Sequence, residues 1–262
     1  MNYKNIDTLN SSELEIYKNM RDRVFREDSS FIADSPKVVN IVLQTDIEVK
    51  SILATKEYYE EFKELLESKS IPVAYVADKE MMQNIVGHKI HHNCMLHGIR
   101  PSQTKLENLD DNIIMLDAIT STENIGSIAR SAAALGVNSY LIPSDAPHPY
   151  SRRSLRVSMG HISKLKYNIY EDIFSTINEL KKTGYRVFAA EVSKDSVELQ
   201  KVKVPKKWVI LMGHEGKGLS QDIIDACDEC VEIEMGGDVR SFNVGVAASI
   251  MMYQLRYSCS EN

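Results

Sequence analysis

The stretch NIIMLDAITSTENIGSIARSAAALGVNSYLIP, residues 112–143, decides the fold. Its two apolar runs have the length and composition of strands. Between them, small and apolar residues follow at helical spacing up to Gly136, where the helix would end. The stretch therefore predicts a strand ending at Asp117, a helix, and a second strand.

The same alternation continues towards the end of the chain. A helix is expected over residues 171–182, a short helix after Gly218, and strands over RVFAAEV (186–192), WVILMG (208–213) and VEIEM (231–235). Strands that alternate with helices at this spacing imply a parallel sheet covered on both faces. We assign residues 106–262 to this α/β domain.

The first hundred residues carry a second, smaller α/β pattern. They predict a helix over residues 36–43, a strand over 49–55, a charged amphipathic helix over 56–69 and a short β run over 72–77. Residues 91–112 are polar and contain proline, so a linker is expected there. The predicted N-terminal domain covers residues 1–105 and includes the start of this linker.

Composition and cysteine content indicate where in the cell the protein is found. The chain has 262 residues and is 43% hydrophobic, which supports a proper core. No signal pattern opens the chain, and its longest apolar run falls far short of the roughly 20 residues that span a bilayer. Four cysteines without framework-like spacing, Cys94, Cys227, Cys230 and Cys259, favour free thiols. We expect a cytoplasmic protein with no membrane partner.

Charge is unevenly distributed along the chain. The formal net charge of −6 argues weakly against nucleic acid, because a strongly basic total is the usual footprint of such binders. Residues 146–170, however, contain no Asp or Glu, whereas they hold Arg152, Arg153, Arg156, Lys164 and Lys166. Such a stretch is either a solvated loop or a surface that meets phosphates.

Three polar segments follow predicted strands: residues 117–124, 213–218 and 235–243. Ligands of parallel sheets gather beyond the carboxyl ends of the strands. Gly213, Gly216 and Gly218 allow close approach of the backbone to a ligand, although glycines after a strand are often only a turn. Arg130 is either a phosphate clamp or catalytic cation, or it extends to solvent.

Polar residues precede two of the predicted helices. Asn124 stands where it could cap the first, and Ser241 and Asn243 are good cap types for the last. The last helix carries two apolar rows: Phe242, Val246, Ile250 and Tyr253, and Val244, Ala247, Met251 and Leu255. With both faces apolar, this helix is expected to be buried, against a second subunit.

Three segments in this order resemble the signature motifs of the SpoU/TrmH family of RNA ribose 2′-O-methyltransferases. They are LDAITSTENIGSIARSAAALGV (116–137), VILMGHEGKGLS (209–220) and IEMGGDVRSFNVGVAASI (233–250). The resemblance implies a parallel α/β fold with a deep trefoil knot (SPOUT superfamily) that binds S-adenosylmethionine (AdoMet), and a homodimer. It implies methyl transfer from AdoMet to a ribose 2′-hydroxyl.

Motif positions imply the roles of individual residues. The cofactor is expected at Gly213, Ile233, Met235 and Phe242. Arg130 matches the family's catalytic arginine, Asn124 the asparagine that helps to hold it, Glu215 the acidic residue of the second motif, and Ser241 and Asn243 the polar pair before the last helix. A guanidinium is hardly ever neutral, so binding a substrate phosphate and orienting the hydroxyl ranks above general-base action for Arg130.

The third motif departs from the family at three positions. Glu234 replaces the usual Pro, Phe242 the usual Leu and Gly245 the usual Ser. Phe242 keeps an apolar wall, whereas Gly245 lacks a hydroxyl that could donate a hydrogen bond nearby. These changes concern the details of the cofactor pocket.

Two further stretches bear on the RNA substrate. FREDSSFIADSPKVVNIVL (25–43) resembles the N-terminal RNA-binding domain of rRNA-modifying members, an α/β sandwich like certain ribosomal proteins. RRSLRVSMGHISKLKY (152–167) resembles the family's stretch between the first two motifs, which favours phosphate contact over a solvated loop. We expect rRNA rather than tRNA, selected by the N-terminal domain with Lys18, Arg21, Arg23 and Arg26.

Three alternatives stay open at this point. An RNA-binding protein without catalysis would keep the fold and lose the reaction. A zinc protein could use His91, His92, Cys94 and His97, or Cys227 and Cys230, but the two groups fall in different predicted domains and no metal is expected. A nucleotide-binding oxidoreductase lacks its G-x-G-x-x-G signature here.

Overall fold

The computed structural model describes residues 2–8, 12–18 and 28–258. Lys18 ends a short helix, whereas Arg21, Arg23 and Arg26 lie outside the described residues. The strands are β1 Asn2–Asn5, β2 Ser30–Asp34, β3 Val49–Ala54, β4 Val73–Val76, β5 Cys94–Ile99, β6 Asn112–Leu116, β7 Ser139–Pro143, β8 Lys166–Tyr170, β9 Arg186–Ala190, β10 Val197–Glu198, β11 Trp208–Met212 and β12 Glu229–Glu232. The helices are α1 Glu15–Lys18, α2 Pro36–Leu43, α3 Lys56–Glu61, α4 Lys63–Glu67, α5 Lys79–Val86, α6 Thr122–Leu135, α7 Arg152–Val157, α8 Ile173–Lys182, α9 Gln221–Ala226 and α10 Val244–Tyr257.

The chain divides into two compact units, and neither is a continuous stretch. The first unit comprises Met1–Ser102 and Tyr150–Lys164. The second unit comprises Gln103–Pro149 and Leu165–Asn262. The basic stretch of residues 146–170 is therefore divided between the two units, and most of it belongs to the first.

A five-stranded mixed sheet organises the first unit. Its order is β1-β4-β3-β5-β2, with β1, β4 and β3 parallel and β5 antiparallel to both of its neighbours. Apolar side chains from the sheet pack with those of α1 and α5, because both helices present a buried face. The buried cluster includes Leu14, Tyr17, Ile32, Leu53, Tyr75, Met82, Ile85 and Met95.

The segment Tyr150–Lys164 is fastened into the first unit by charge and by close packing. Helix α7 packs against β2, where Arg152 Nε donates to Asp34 Oδ2 at 2.7 Å and Arg156 Nε lies 3.5 Å from Asp34 Oδ1. Gly160 has a φ of +85°, and a Cβ there would lie 2.8 Å from the Val38 carbonyl oxygen. Only glycine allows the segment to approach α2 so closely.

Some predicted elements differ from the structure. The linker prediction is wrong for residues 94–99, which form β5, a strand with neighbours on both sides. In the sequence, Gly98 favours a loop. In the structure, close packing requires glycine here, because a Cβ at this position would lie 2.8 Å from the ring of Phe31. The charged helix over 56–69 is two helices that meet at Phe62. Helix α7 and strand β8 were not predicted.

A seven-stranded parallel sheet organises the second unit, as the alternating pattern predicted. Its order is β10-β12-β9-β11-β6-β7-β8. In the register, Met212 pairs with Leu116 on one side and with Ala190 on the other, so β6, β11 and β9 end at the same level. Whatever follows these three strands is therefore gathered at one edge of the sheet. The knot that the resemblance implies stays a prediction.

Among the described residues, the last helix packs on one face only. Helix α10 contacts α6 and β11, and it buries Val244, Met251 and Leu255. The other predicted row, Phe242, Val246, Ile250 and Tyr253, is 36–59% exposed, and Tyr257 after it is 67% exposed. Within the described part of the chain, no helix combines the length and apolar character needed to cross a membrane.

Candidate active site

A cavity of about 310 Å³ opens at the ends of β9, β11 and β12 in the second unit. This volume falls at the lower end of the range of small-molecule sites, about 300–1,000 Å³. Its lining comes from the segments that follow these strands and from the start of α10: Ala190, Glu191, Val192, Met212, Gly213, His214, Glu215, Gly216, Lys217, Gly218, Val231, Glu232, Ile233, Met235, Arg240, Ser241, Phe242, Val244, Ala247 and Met251.

Six of the nine site residues predicted from the sequence line this cavity. All four predicted cofactor residues do so: Gly213, Ile233, Met235 and Phe242. Glu215 and Ser241, predicted to be catalytic, line it as well. The other three, Asn124, Arg130 and Asn243, are not among its lining residues. The roles of all nine remain predictions.

The turn after β11 is folded tightly on itself. A Cβ on Gly213 would lie 2.6 Å from the Gly218 carbonyl carbon and 2.7 Å from the Leu219 nitrogen, so only glycine fits. His214 Nδ1 accepts hydrogen bonds from the N–H groups of Gly216, at 2.9 Å, and Lys217, at 3.2 Å. Because Nδ1 accepts, the neutral ring carries its proton on Nε2. The turn thus presents the Gly213 backbone at the cavity wall.

Glu215 is joined to α6 by two hydrogen bonds to the same oxygen. Its Oε1 accepts from Asn124 Nδ2 at 2.9 Å and from the Ser121 N–H at 3.3 Å. Burial alone would raise the pKa of Glu215, but these bonds, together with bonds from the backbone N–H groups of Thr120 and of Glu215 itself, outweigh it. The pKa of Glu215 is consequently lower than its ordinary value, and the carboxylate is ionised at neutral pH.

Asn124 does not cap α6, contrary to the prediction. Ser121 is the cap, and its side chain accepts from the Asn124 N–H. Serine and asparagine are comparably good caps, so local preference alone does not decide between them. With the cap supplied by Ser121, the Asn124 side chain is available for Glu215 and for Asn243, whose Nδ2 donates to Asn124 Oδ1 at 3.4 Å.

Asn243 caps α10, as predicted. Its Oδ1 accepts from the Gly245 N–H at 2.9 Å while its Nδ2 reaches Asn124. The side chain thereby links the beginnings of α6 and α10 beside Glu215. Asn124, Glu215 and Asn243 form a continuous hydrogen-bonded chain, which we call the amide network.

Gly245 is explained by a neighbour on α6. A Cβ at this position would lie 2.7 Å from Ser127 Oγ, so the Ser127 hydroxyl takes the space that a side chain at 245 would need. Phe242 is 41% exposed at the mouth of the cavity. Glu234 is exposed, and Gln200 Nε2 donates to its Oε2 at 3.4 Å.

The SpoU rRNA Methylase family model matches residues 111–253, more than half of the chain. The chain belongs to the SpoU rRNA Methylase family. The match includes β6 through most of α10, and with them all nine predicted site residues. Membership confirms the resemblance drawn from the three motifs.

Relatives of this SpoU-family chain are named as TrmH family methyltransferases. A protein of Staphylococcus haemolyticus (strain JCSC1435) named as a TrmH family tRNA/rRNA methyltransferase is 34% identical over 154 residues, 59% of this chain and 61% of that protein. The match thus spans about three fifths of the relative's length.

Solved structures share the fold over nearly the whole chain. The AdoMet-bound rRNA methyltransferase from Sinorhizobium meliloti superposes with a TM-score of 0.85 at 20% identity, covering 97% of this chain and 98% of that one. A structure named RNA 2′-O ribose methyltransferase gives a TM-score of 0.79 at 18% identity, covering 97% and 99%. These likenesses confirm the predicted fold class, a parallel-sheet α/β domain preceded by a smaller α/β domain.

The structure does not bring Arg130 to the amide network. Arg130 is exposed on α6 and makes no hydrogen bond or ion pair with any residue in the described ranges. An arginine in that position is free to meet a ligand from solvent. Its part in the SpoU-family reaction is accordingly a matter for proposal.

Sequence reasoning missed several residues of the cavity, most notably Glu191. This residue directly follows β9, a position that could have been found by extending the strand-end rule to every strand of the sheet. Arg240 was passed over for its neighbour Ser241. Across the residues described, no group of three or more His, Cys, Asp and Glu side chains is placed to hold a metal ion.

Proposed function

We propose that this SpoU-family chain transfers a methyl group from AdoMet to a ribose 2′-hydroxyl of structured RNA, and to rRNA rather than tRNA. The observation that carries the proposal is the cavity lined by Gly213, Ile233 and Phe242, with the amide network beginning at its rim on Glu215. AdoMet binds in this cavity. The names of the structurally similar methyltransferases support the cofactor and the ribose 2′-oxygen as acceptor.

The cavity suits a ligand of this kind in shape and charge. Gly213 lines the cavity with backbone atoms alone, which allows its peptide groups to bond to a ligand. Side chains of both charges line the wall, carboxylates as well as the cationic groups of Lys217 and Arg240. AdoMet likewise carries groups of both charges, since it has a carboxylate beside its sulfonium and ammonium groups.

The bound AdoMet supplies an electrophilic methyl group, so the protein's work is to position the acceptor and to exclude water. The amide network fixes Glu215 as an ionised group at the rim. Arg130 binds a phosphate of the RNA and orients the 2′-hydroxyl, because a guanidinium stays charged at neutral pH. Ser241 and Asn243 position the same hydroxyl from the start of α10.

The two predicted domains divide the work. Residues 1–105 select the RNA together with residues 150–164 of the same compact unit, and the rest of residues 106–262 carries out methyl transfer. Arg152 and Arg156 on α7 add positive charge to the first unit, where Asp34 holds them in place, and Arg153 beside them is exposed. RNA phosphates are the ligands that such a surface favours.

The protein acts as a homodimer in the cytoplasm. The open stripe Val246, Ile250, Tyr253 and Tyr257 on α10 supports an interface, because a row of exposed apolar side chains on one helix face is stabilised by burial. Cys94, Cys227 and Cys230 are buried free thiols, which suits a reducing compartment.

Incubation with methyl-labelled AdoMet and separated rRNA and tRNA pools tests the reaction. We expect label in rRNA, at a nucleotide whose 3′ bond resists alkaline cleavage because its 2′-oxygen is methylated. Label at a nucleotide that is still cleaved by alkali would contradict ribose methylation. Absence of label from every pool would favour an RNA-binding protein without catalysis.

Arg130→Ala tests the mechanism in the same assay. Turnover should be abolished while the Kd for AdoMet, measured by calorimetry, stays nearly unchanged, since Arg130 is not part of the cavity wall. Arg256→Ala, another exposed arginine, is the matched control and should retain turnover. Equal loss of turnover and of AdoMet affinity in Arg130→Ala would overturn the assignment.

A substitution in α7 tests the RNA contact better than deletion of residues 1–105, because deletion would remove the strand and helix on which α7 and the following residues pack. Arg153→Ala should weaken RNA binding and reduce its salt dependence, and it should leave AdoMet affinity unchanged. Unaltered RNA affinity across a salt series would contradict the contact.

A further inference from the structure

Glu191 lies in the wall of the cavity, although the sequence placed it inside the predicted strand 186–192. It is the first residue after β9, which lies between β11 and β12 in the sheet. Its N–H donates to the Val231 carbonyl oxygen at 3.2 Å, and its own carbonyl oxygen accepts from Cys230 Sγ at 3.3 Å. The backbone of Glu191 is therefore fixed to the end of β12.

The side chain of Glu191 reaches the other way, to the turn after β11. Its Oε2 accepts from the Leu219 N–H at 2.9 Å, and its Oε1 accepts from the Val192 N–H at 2.9 Å. Each oxygen thus faces one backbone donor. A carboxylate can accept at both oxygens, whereas an amide would place an NH₂ donor against one of these N–H groups.

The turn is shaped to admit this carboxylate. Gly218 has a φ of +65°, and a Cβ there would lie 1.9 Å from Glu191 Oε2, so any side chain at this position would displace the carboxylate. The same Gly218–Leu219 peptide closes over Gly213, where a Cβ would be 2.7 Å from the Leu219 nitrogen. Glu191 therefore holds the peptide that shapes the backbone at Gly213.

We propose that Glu191 is a positioning residue that holds the turn of residues 213–219 in its ligand-accepting form. The inference rests on the proposed function, in which the Gly213 backbone contacts AdoMet. Glu191 acts through the turn and not through its charge on the ligand. Removing an acceptor oxygen of Glu191 should therefore lower the affinity for every ligand of the cavity to the same extent, whether or not that ligand carries a positive sulfur.

Calorimetric titration with two ligands separates these roles. AdoMet has a positive sulfonium, whereas S-adenosylhomocysteine has a neutral thioether and is otherwise the same molecule without the methyl group. For both Glu191→Gln and Glu191→Ala we expect the Kd values of the two ligands to rise by the same factor, about tenfold, as for a lost hydrogen bond to a charged group. A rise for AdoMet alone would assign Glu191 to charge recognition and overturn the proposal.

Glu232→Gln is the matched control. It removes the same charge from the same cavity, but the Glu232 carboxylate accepts from Ser196 Oγ, at 2.7 Å, and not from the turn. Its Kd values should change by no more than about twofold. An effect as large as that of Glu191→Gln would show that charge, not the turn, sets affinity. Circular dichroism and thermal unfolding check that each variant is folded.

Gly218→Ala gives an independent route to the same turn. The added methyl group displaces the Glu191 carboxylate, so affinity for both ligands should fall at least as far as in Glu191→Ala. The double variant Glu191→Ala/Gly218→Ala should be no worse than Gly218→Ala, because the displaced group is already gone. Additive losses would overturn the proposal. If the wild-type protein binds neither ligand, the proposed function fails instead.

Discussion

Asp34 in the first unit and Glu215 in the second both join elements that are distant in the chain. The carboxylate of Asp34 has charged partners, whereas that of Glu215 has neutral ones. Asp34 is 2% exposed and is paired with two arginines of α7. Glu215 is exposed and accepts its hydrogen bonds from an amide and from backbone N–H groups. The charge of Asp34 is neutralised where it lies, whereas that of Glu215 remains available at the cavity.

The difference teaches how to separate a structural carboxylate from a functional one. A buried charge is tolerated only with a partner of opposite sign, so its negative charge belongs to stability. An exposed carboxylate held by neutral donors has its geometry fixed without losing its charge. Substitutions that remove only the charge should therefore act on stability at Asp34 and on activity at Glu215.

Asp34→Asn should give the largest effect. Without the carboxylate charge, Arg152 and Arg156 lose their buried partner, and the free energy of unfolding should fall by about 3 kcal/mol. Urea unfolding measures the change, with the exposed Asp46→Asn as control. A decrease no larger than in the control would show that the buried pair does not stabilise the first unit.

Glu215→Gln should reverse the pattern. Both hydrogen bonds from α6 end on Oε1, so a glutamine oxygen in that place keeps them while the charge is lost. We expect the free energy of unfolding to change by less than about 1 kcal/mol and the rate of methyl transfer to fall about tenfold. Unfolding and single-turnover methylation assays on the same preparation give both values. Loss of stability comparable with Asp34→Asn would remove the distinction between the two sites.

Asp117→Asn should give a smaller effect of opposite sign. Burial raises the pKa of Asp117, and Asp145 raises it further, while His214 opposes them. Because the pKa is higher in the folded state, the protonated form adds stability below the unfolded pKa, and this is lost as pH rises through the folded pKa. At pH 7 the ionised carboxylate therefore destabilises, and the asparagine variant should unfold at a slightly higher temperature. The gain should shrink on acidification, and a constant gain would contradict the assignment.

The last prediction is that pH has no effect on the relative rate of the Glu215→Gln variant. The pKa of Glu215 lies below its ordinary value, so its stabilising contribution is present above the unfolded pKa and is lost only as pH falls through the folded one. The ratio of methyl-transfer rates of the wild type and Glu215→Gln should be constant between about pH 6 and 9. A ratio that changes across this range would mean that Glu215 takes up or releases a proton in the reaction.

Sequence predicted the second unit better than the first because its signals are local. Apolar runs and their spacing give the strands, and parallel pairing brings their ends to one level, as the register of Leu116, Met212 and Ala190 shows. This explains why residues of the second and third motifs line one cavity and why Asn124 of the first motif bonds to Glu215 beside it. The choice of Ser121 over Asn124 as cap was not predictable, since both are good caps and the decision lies with Glu215 on another strand end.

The first unit depends on contacts that no local pattern contains. Asp34 and Arg152 are 118 residues apart, and Gly160 is required by the backbone of α2. The strand β5 is flanked by polar residues and contains Gly98, so its composition favours a loop. Glu191 was missed for a related reason, because its partner is the Leu219 N–H, 28 residues further along the chain.

Because the first unit is discontinuous in the chain, it can complete its folding only late in synthesis. Strand β2 is an edge strand, and its covering helix α7 is made more than a hundred residues later, after β6, α6 and β7 of the second unit. At ribosomal rates of about 5–20 residues per second, Asp34 waits roughly 6–24 seconds for Arg152. During that interval β2 lacks its contacts with α7, and the Asp34 carboxylate lacks its arginine partners. Completion of the first unit therefore follows the start of the second, and the ribosome delivers the two as interleaved parts.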